Sequence, residues 1–342
     1  LFAAGQAVDL IVANNVAAKW TVYERFEELQ ETPRVTPRPY YGADFLKYSN
    51  LIGVANQTAI YAIIAIGMTM VIVTAGIDLS VGSLVALAAV SSALFVREFG
   101  GVEASTAVVL AGMFGGILVC CALGAFNGVM VTLFQLPPFI VTLALMMMAS
   151  GMAFRLSGGR SIPELPAAFF ALGGGRVMGV PNPVCLMVGL YVVGHVLMSR
   201  TVLGRYIYAI GGNEEAARLS GVPVKRTLLA VYTVCGALAG LGGVVLASQL
   251  AAGDPKFGDK YELHVIAAVV VGGTSLMGGQ GKVLGTLIGA FIIAVIKNGM
   301  NLTDVDPFNQ KIVLGGVLLL GVLIDTLKRR PEILAPLFRK RR

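Results

Sequence analysis

Apolar residues along this chain come in long unbroken runs, unlike the alternating or one-faced patterns of half-buried strands and surface helices. A helix that crosses a bilayer needs about 20 mostly apolar residues. Runs free of Asp, Glu, Lys and Arg cover 56–75, 105–134, 137–154, 181–199, 227–252, 263–281, 283–296 and 312–324. Residues 79–96 form another, with Asp78 at its edge. Residues 1–18 hold a single acid, Asp9, and are expected to be a partial or truncated first transmembrane helix. The 105–134 run is long enough to tilt or to break. The pattern predicts an all-α polytopic transmembrane helix bundle of about ten spans, with a central helix broken near 76–80.

Glycine and proline punctuate these runs. Pro137-Pro138 and Asn182-Pro183 sit where helices open, because a first-turn residue has no use for its N–H. Gly-rich stretches at 172–179 and 272–281 predict loops or unwound backbone, tolerable at membrane depth only inside protein or beside water. Small residues recur at four-residue spacing, as in Gly112/Gly116, Gly236/Gly240, Ala239/Gly243 and Gly285/Gly289. In lipid such pairs let helix backbones approach closely.

Composition agrees with the pattern. The chain of 342 residues is 56% hydrophobic and 13% charged, against about 25% charged in a soluble domain. Residues 51–328 therefore read as one integral membrane domain. The net charge of +7 reports topology rather than nucleic-acid binding. Basic residues cluster in one mid-chain loop (Arg200, Arg205, Arg218, Lys225, Arg226) and after Lys328. Both are positive-inside signals. Counting crossings from them predicts two cytoplasmic termini, a basic cytoplasmic tail over 329–342 and an extracytoplasmic loop over 19–50. Cys120, Cys121, Cys185 and Cys235 lie in apolar runs without metal-type spacing, and His195 and His264 stand apart. No metal site is expected.

Three segments carry chemistry. In the first, G-I-D-L-S-V-G-S at 76–83, an apolar helix runs into Gly76, Asp78 and Ser80 before a new apolar helix starts. Asp78 reads either as an N-cap of the second helix or as an acid beside a translocation path, where intramembrane acids mark function. The two roles are compatible. The second segment, 204–226, carries Glu214, Glu215, Ala216, Ala217, Arg218 and Gly221. Residues 214–219 predict a short helix with its acids at the positive end and Gly221 and Pro223 stopping it. The third, 269–289, is Gly-rich but has neither a strand nor the GK[ST] of a phosphate loop. It predicts a turn lying close against neighbouring helices. Further polar residues inside spans could line a path: Asn56, Gln57, Thr69, Asn127 and Gln249. Thr274 and Asn298 are of the same kind. Each also serves as a helix–helix hydrogen-bonding group.

The run at 76–83, preceded by G-M-T at 67–69, resembles the signature of the ribose-type sugar permeases of ABC importers. The resemblance extends over most of residues 50–330, and the E-A-A-x-x-x-G spacing from Glu215 to Gly221 is similar to the coupling loop of ABC permeases. It implies a bacterial inner-membrane subunit that is not an enzyme and passes a ribose-, xylose-, arabinose- or galactoside-type sugar. It also implies three partners: a cytoplasmic ATPase subunit that binds the ATP, a periplasmic or lipid-anchored sugar-binding protein, and a second permease copy. The chain itself needs no cofactor on this reading. A branched-chain amino-acid or nucleoside ABC permease is the alternative within the class. A secondary carrier is the alternative outside it, against which stands the near absence of ionisable residues inside the spans. An intramembrane enzyme would need a nucleophile–base or metal constellation.

Overall fold

Residues 10–13, 17–36 and 44–329 are described by a computed structural model. They fall into two units, Leu1–Asp44 and Phe45–Arg342. In the first, β1 (Ile11–Val12) pairs in parallel with β2 (Arg34–Val35), two 3₁₀ turns cover Ala17–Lys19 and Thr21–Arg25, and α1 (Glu27–Gln30) is one helical turn. The helix expected over 1–18 is not what its described residues form. Asp9, Asn14 and Asn15 interrupt that apolar stretch, and Ile11 and Ala13 donate their N–H groups to the carbonyls of Pro33 and Val35 instead.

Among its described residues the second unit is helical apart from one small hairpin and an isolated bridge between Ile162 and Gly253. In order it contains α2 (Tyr48–Val73), α3 (Val81–Glu98), α4 (Thr106–Thr132), α5 (Pro138–Ser157), α6 (Ala167–Gly174), β3 (Arg176–Val177) and β4 (Val180–Pro181). It continues with α7 (Asn182–Arg200), α8 (Val202–Gly212), α9 (Glu214–Leu219), α10 (Val224–Leu250), α11 (Tyr261–Val271), α12 (Val283–Leu302) and α13 (Pro307–Arg329). Among the described residues 8 helices are long and apolar enough to cross a membrane, and α11 is a shorter apolar one. This is a multi-pass membrane protein. α4 runs its 27 residues without a break. α5 and α7 carry proline in their first turns, as the sequence predicts.

The expected 263–281 span takes a different form. Its helix lasts 11 residues, about 16 Å at 1.5 Å per residue, which is half a bilayer. Consecutive glycines end it: Gly272 and Gly273 follow directly, and Gly273, Gly278 and Gly279 all have φ between +71 and +87, a region that residues with a Cβ avoid.

α2 is the centre of the bundle, with 83% of its spanning window buried, whereas α13 buries none of its own. α10 packs on α2, α3 and α4. Small residues set these distances. A Cβ on Gly236 would collide with the Cys120 carbonyl and Gly124, and one on Gly124 with the Tyr232 carbonyl. The α4–α10 pair therefore meets backbone to backbone. Gly112 and Gly116 play the same part on α3, and Gly285 and Gly289 on α11.

Candidate functional site

The α2–α3 break is built from local hydrogen bonds. Thr74 Oγ1 donates back to the Val71 carbonyl at 2.7 Å. Ala75 turns to φ +61, and the Gly76 N–H also reaches Val71 O at 3.0 Å. α2 cannot continue past this reversal. The chain then passes through Asp78, whose Oδ1 accepts from the Ser80 N–H at 2.9 Å and from Ser80 Oγ at 2.6 Å. Ser80, not Asp78, occupies the N-cap position of α3, and it makes no side-chain cap. Asp78 lies two residues too early to reach the free N–H groups of the helix, so its carboxylate shapes the turn.

Other helices close over this turn. Asn127 of α4 donates to Ser80 Oγ at 3.2 Å, and Thr142 of α5 donates to the Ile77 carbonyl at 3.3 Å. The Tyr232 hydroxyl of α10 presses against Gly76, where a Cβ would strike it. Asp78, Ser80 and Asn127 are all 0% exposed. Asp78 Oδ2, Asn127 Oδ1 and Tyr232 Oη have no hydrogen-bond partner among the described residues. The knot thus holds one carboxylate without a neighbouring ammonium or guanidinium ion pair among those residues.

The second element is α9. Asn213 caps it, accepting from the Ala216 N–H at 2.9 Å, and Glu214 and Glu215 occupy its first turn. Glu215 accepts from Arg218 at 2.6 Å on the exposed side. Ala217 is its only buried residue, packed with Ile210 and Val224 at the roots of α8 and α10. A helix of 6 residues held by one alanine exposes nearly everything else, including Leu219 at 80%. Gly221 ends it at φ +83. Its N–H reaches Arg218 O, and that of Val222 reaches Ala217 O.

The Gly-rich turn joins the two. Gly279 N–H donates to Val73 O, the last carbonyl of α2, at 2.9 Å. Tyr208 of α8 donates to Gly281 O at 2.6 Å. A Cβ on Gly278 would meet Ala75 and the Gly211 carbonyl, and one on Gly211 the Val73 carbonyl. Three motifs far apart in sequence therefore meet at one end of the bundle.

The remaining candidates do not gather there. Thr69 shares a 2.7 Å hydrogen bond with Thr286 and serves as a helix–helix contact. Gln57 lines a separate small cavity with Tyr61, His264 and Lys297, and Lys297 Nζ stands 5.9 Å over the Tyr61 ring. Asn56 and Gln249 are half-buried away from the break. Sequence reasoning missed Tyr232 and Thr142, which complete the knot. A lone tyrosine in the small-residue run of α10 was the available signal. No cluster of three or more His, Cys, Asp or Glu residues suited to a metal occurs among the described residues.

Residues 50–322 match the family described as the branched-chain amino acid transport system / permease component. The chain belongs to that permease family. Among similar relatives, the ribose import permease protein RbsC of Escherichia coli K12 is 42% identical over 290 residues, 84% of this chain and 88% of that protein. RbsC of Bacillus subtilis is 42% identical over 287 residues, 83% of this chain and 87% of its own length. The L-arabinose ABC transporter permease protein AraH of Azospirillum brasilense is 38% identical over 291 residues, 84% and 82% respectively. No solved structure matches the chain. In a permease of this family the break, the exposed α9 and the Gly-rich turn that ties them together are the parts with a physical claim to function.

Proposed function

We propose that this chain is the membrane permease subunit of a bacterial ABC importer for a monosaccharide of the ribose and arabinose class. It forms the translocation path with a second permease copy in the inner membrane, both termini cytoplasmic. A periplasmic or lipid-anchored sugar-binding protein delivers the substrate. A separate cytoplasmic ATPase binds and hydrolyses the ATP, so the chain is neither an enzyme nor a cofactor protein.

The observation that carries this reading is α9. Its single buried contact, its exposed Leu219 and its charged outer face suit a knob that seats in another protein's cleft. The Gly-rich turn and α8 give that knob a rigid path to the α2 terminus. The names of the relatives point to sugars rather than to branched-chain amino acids. The test is reconstitution in proteoliposomes with the ATPase and binding protein encoded beside it. Labelled ribose, arabinose or xylose should accumulate on addition of ATP, and the permease alone should hydrolyse none. Accumulation of leucine without any of the three sugars would overturn the substrate class.

A further inference from the structure

The backbone between α10 and α11 does not stay at the end of the bundle. Gly253 packs against Ala89 and Ala93 of α3, and Gly258 packs against Gly82 and Val85. From Gly82 to Ala93 is about 16 Å of helix rise, so the segment descends most of the length of that helix. It is irregular, with Ala251 at φ +48, Gly258 at +75 and Lys260 at +62. It carries Lys256, Asp259 and Lys260, all exposed, and leads into Glu262. Charged, non-helical backbone at membrane depth survives only inside protein or against water. These three side chains are exposed on this chain and so lie outside its own core, where water can reach them.

The water-facing space is a cavity of about 410 Å³ lined by that segment, by Ser83 of α3 and by Met146 and Ser150 of α5. Its floor is the first turn of α3, where the Glu262 carboxylate lies directly over Gly82. A second cavity, of about 440 Å³, lies on the other side of the same break. It is lined by Gly76, Thr132, Leu228 and Tyr232 together with Glu214 and Arg218 of α9. Only residues 77–81 separate Gly76 from Gly82, and within them Asp78, Ser80 and Val81 are fully buried. At each end of this partition a glycine is pressed by a polar group of a cavity-lining side chain, the Tyr232 hydroxyl on one side and the Glu262 carboxylate on the other.

We propose that these two cavities are the two halves of the substrate path, and that the knotted α2–α3 break is the septum between them. This rests on the permease reading above. The upper half balances Lys256 and Lys260 against Asp259 and Glu262 beside methionines, a lining suited to a small hydroxylated solute with no net charge. The lower half adjoins α9, so movement of the docked helix reaches the septum through Tyr232. The unpartnered Asp78 Oδ2, Asn127 Oδ1 and Tyr232 Oη become hydrated when the septum opens, which makes opening reversible rather than a rupture.

The test is thiol labelling of the full-length permease, assembled with its ATPase, in vesicles of both orientations. Cys121, Cys185 and Cys235 are replaced by alanine, while the fully buried Cys120 stays as an internal silent control. Single variants Ser83→Cys, Ser150→Cys, Thr132→Cys and Leu228→Cys are treated with a membrane-impermeant charged methanethiosulfonate. Ser83→Cys and Ser150→Cys should react from one side and Thr132→Cys and Leu228→Cys from the other, each with at least a tenfold side preference. Adding ATP and the loaded binding protein should make Ser83→Cys reactive from the opposite side as well. Silence of Ser83→Cys and Ser150→Cys on both sides, or equal reaction from both at rest, would sink the proposal. The resting labelling pattern, on which the proposal stands or falls, is read without ATP, binding protein or sugar. A wrong sugar assignment would therefore leave the labelling pattern intact, and a wrong septum would leave sugar uptake intact.

Discussion

Gly221 shows what a single residue decides here. It stands at φ +83, and a Cβ placed on it would meet nothing within 4 Å, so backbone strain alone opposes substitution. Gly221→Val should cost about 1–2 kcal/mol locally, too little to unfold a bundle that lies elsewhere. The variant should be produced at wild-type level while ATPase co-purification falls several-fold; normal co-purification and uptake would mean that the turn only connects spans. Asp78 is the opposite case, a buried residue whose neighbours depend on it. Asp78→Asn keeps an oxygen for the Ser80 N–H and hydroxyl, whereas Asp78→Leu leaves both without an acceptor, at about 1–3 kcal/mol for an unsatisfied buried group. In detergent the Leu variant should melt several degrees below the Asn variant. Equal melting temperatures would show that the oxygen acceptor at this position has no structural part in the break.

Among the elements, the α4–α10 pair owes its geometry to missing side chains. Gly236→Leu would drive a Cβ into the Cys120 carbonyl and Gly124, and overpacking of this sort costs about 1–3 kcal/mol. Loss of monodisperse protein is the expected readout. Gly189→Leu, on a face of α7 with open space around it, is the matched control and should purify normally. α9 is the element where charge matters more than packing. The Glu215–Arg218 pair is 65% exposed on both sides, worth only a few tenths of a kcal/mol to the helix. Glu215→Lys should therefore leave the melting temperature unchanged and still abolish ATP-driven uptake, because it alters the surface that a partner reads.

For the whole molecule the arrangement of basic residues predicts sidedness. Val102, between α3 and α4, is 62% exposed, and Arg218 lies on α9. By the crossing count they face opposite sides of the membrane. Val102→Cys and Arg218→Cys should react with an impermeant thiol reagent from opposite faces of sealed vesicles; reaction of both from one face would overturn the topology. On the same count α11 should supply a crossing with half the usual helix. The descending 251–260 segment and the Gly-rich turn cover the remaining depth, each shielded by protein or water.

Hydropathy and punctuation by themselves determined the class, the positions of most of the long spans, the break near 76–80 and the short helix at 214–219. Those features follow from local rules: an apolar run of bilayer length must be helical, because its backbone has no other hydrogen-bonding partner in lipid. Asn213 and Gly221 likewise carry their own capping chemistry. The tertiary structure alone decided which polar residues meet. Asp78, Ser80 and Asn127 joined Tyr232 and Thr142, whereas Thr69, Gln57 and Gln249 went elsewhere, since the partner of a helix face depends on packing across distant segments. Nothing in the sequence of the 251–260 stretch marks where it runs. Its descent along α3 comes from Gly253 and Gly258 fitting against that helix, a contact that no periodicity in the chain encodes.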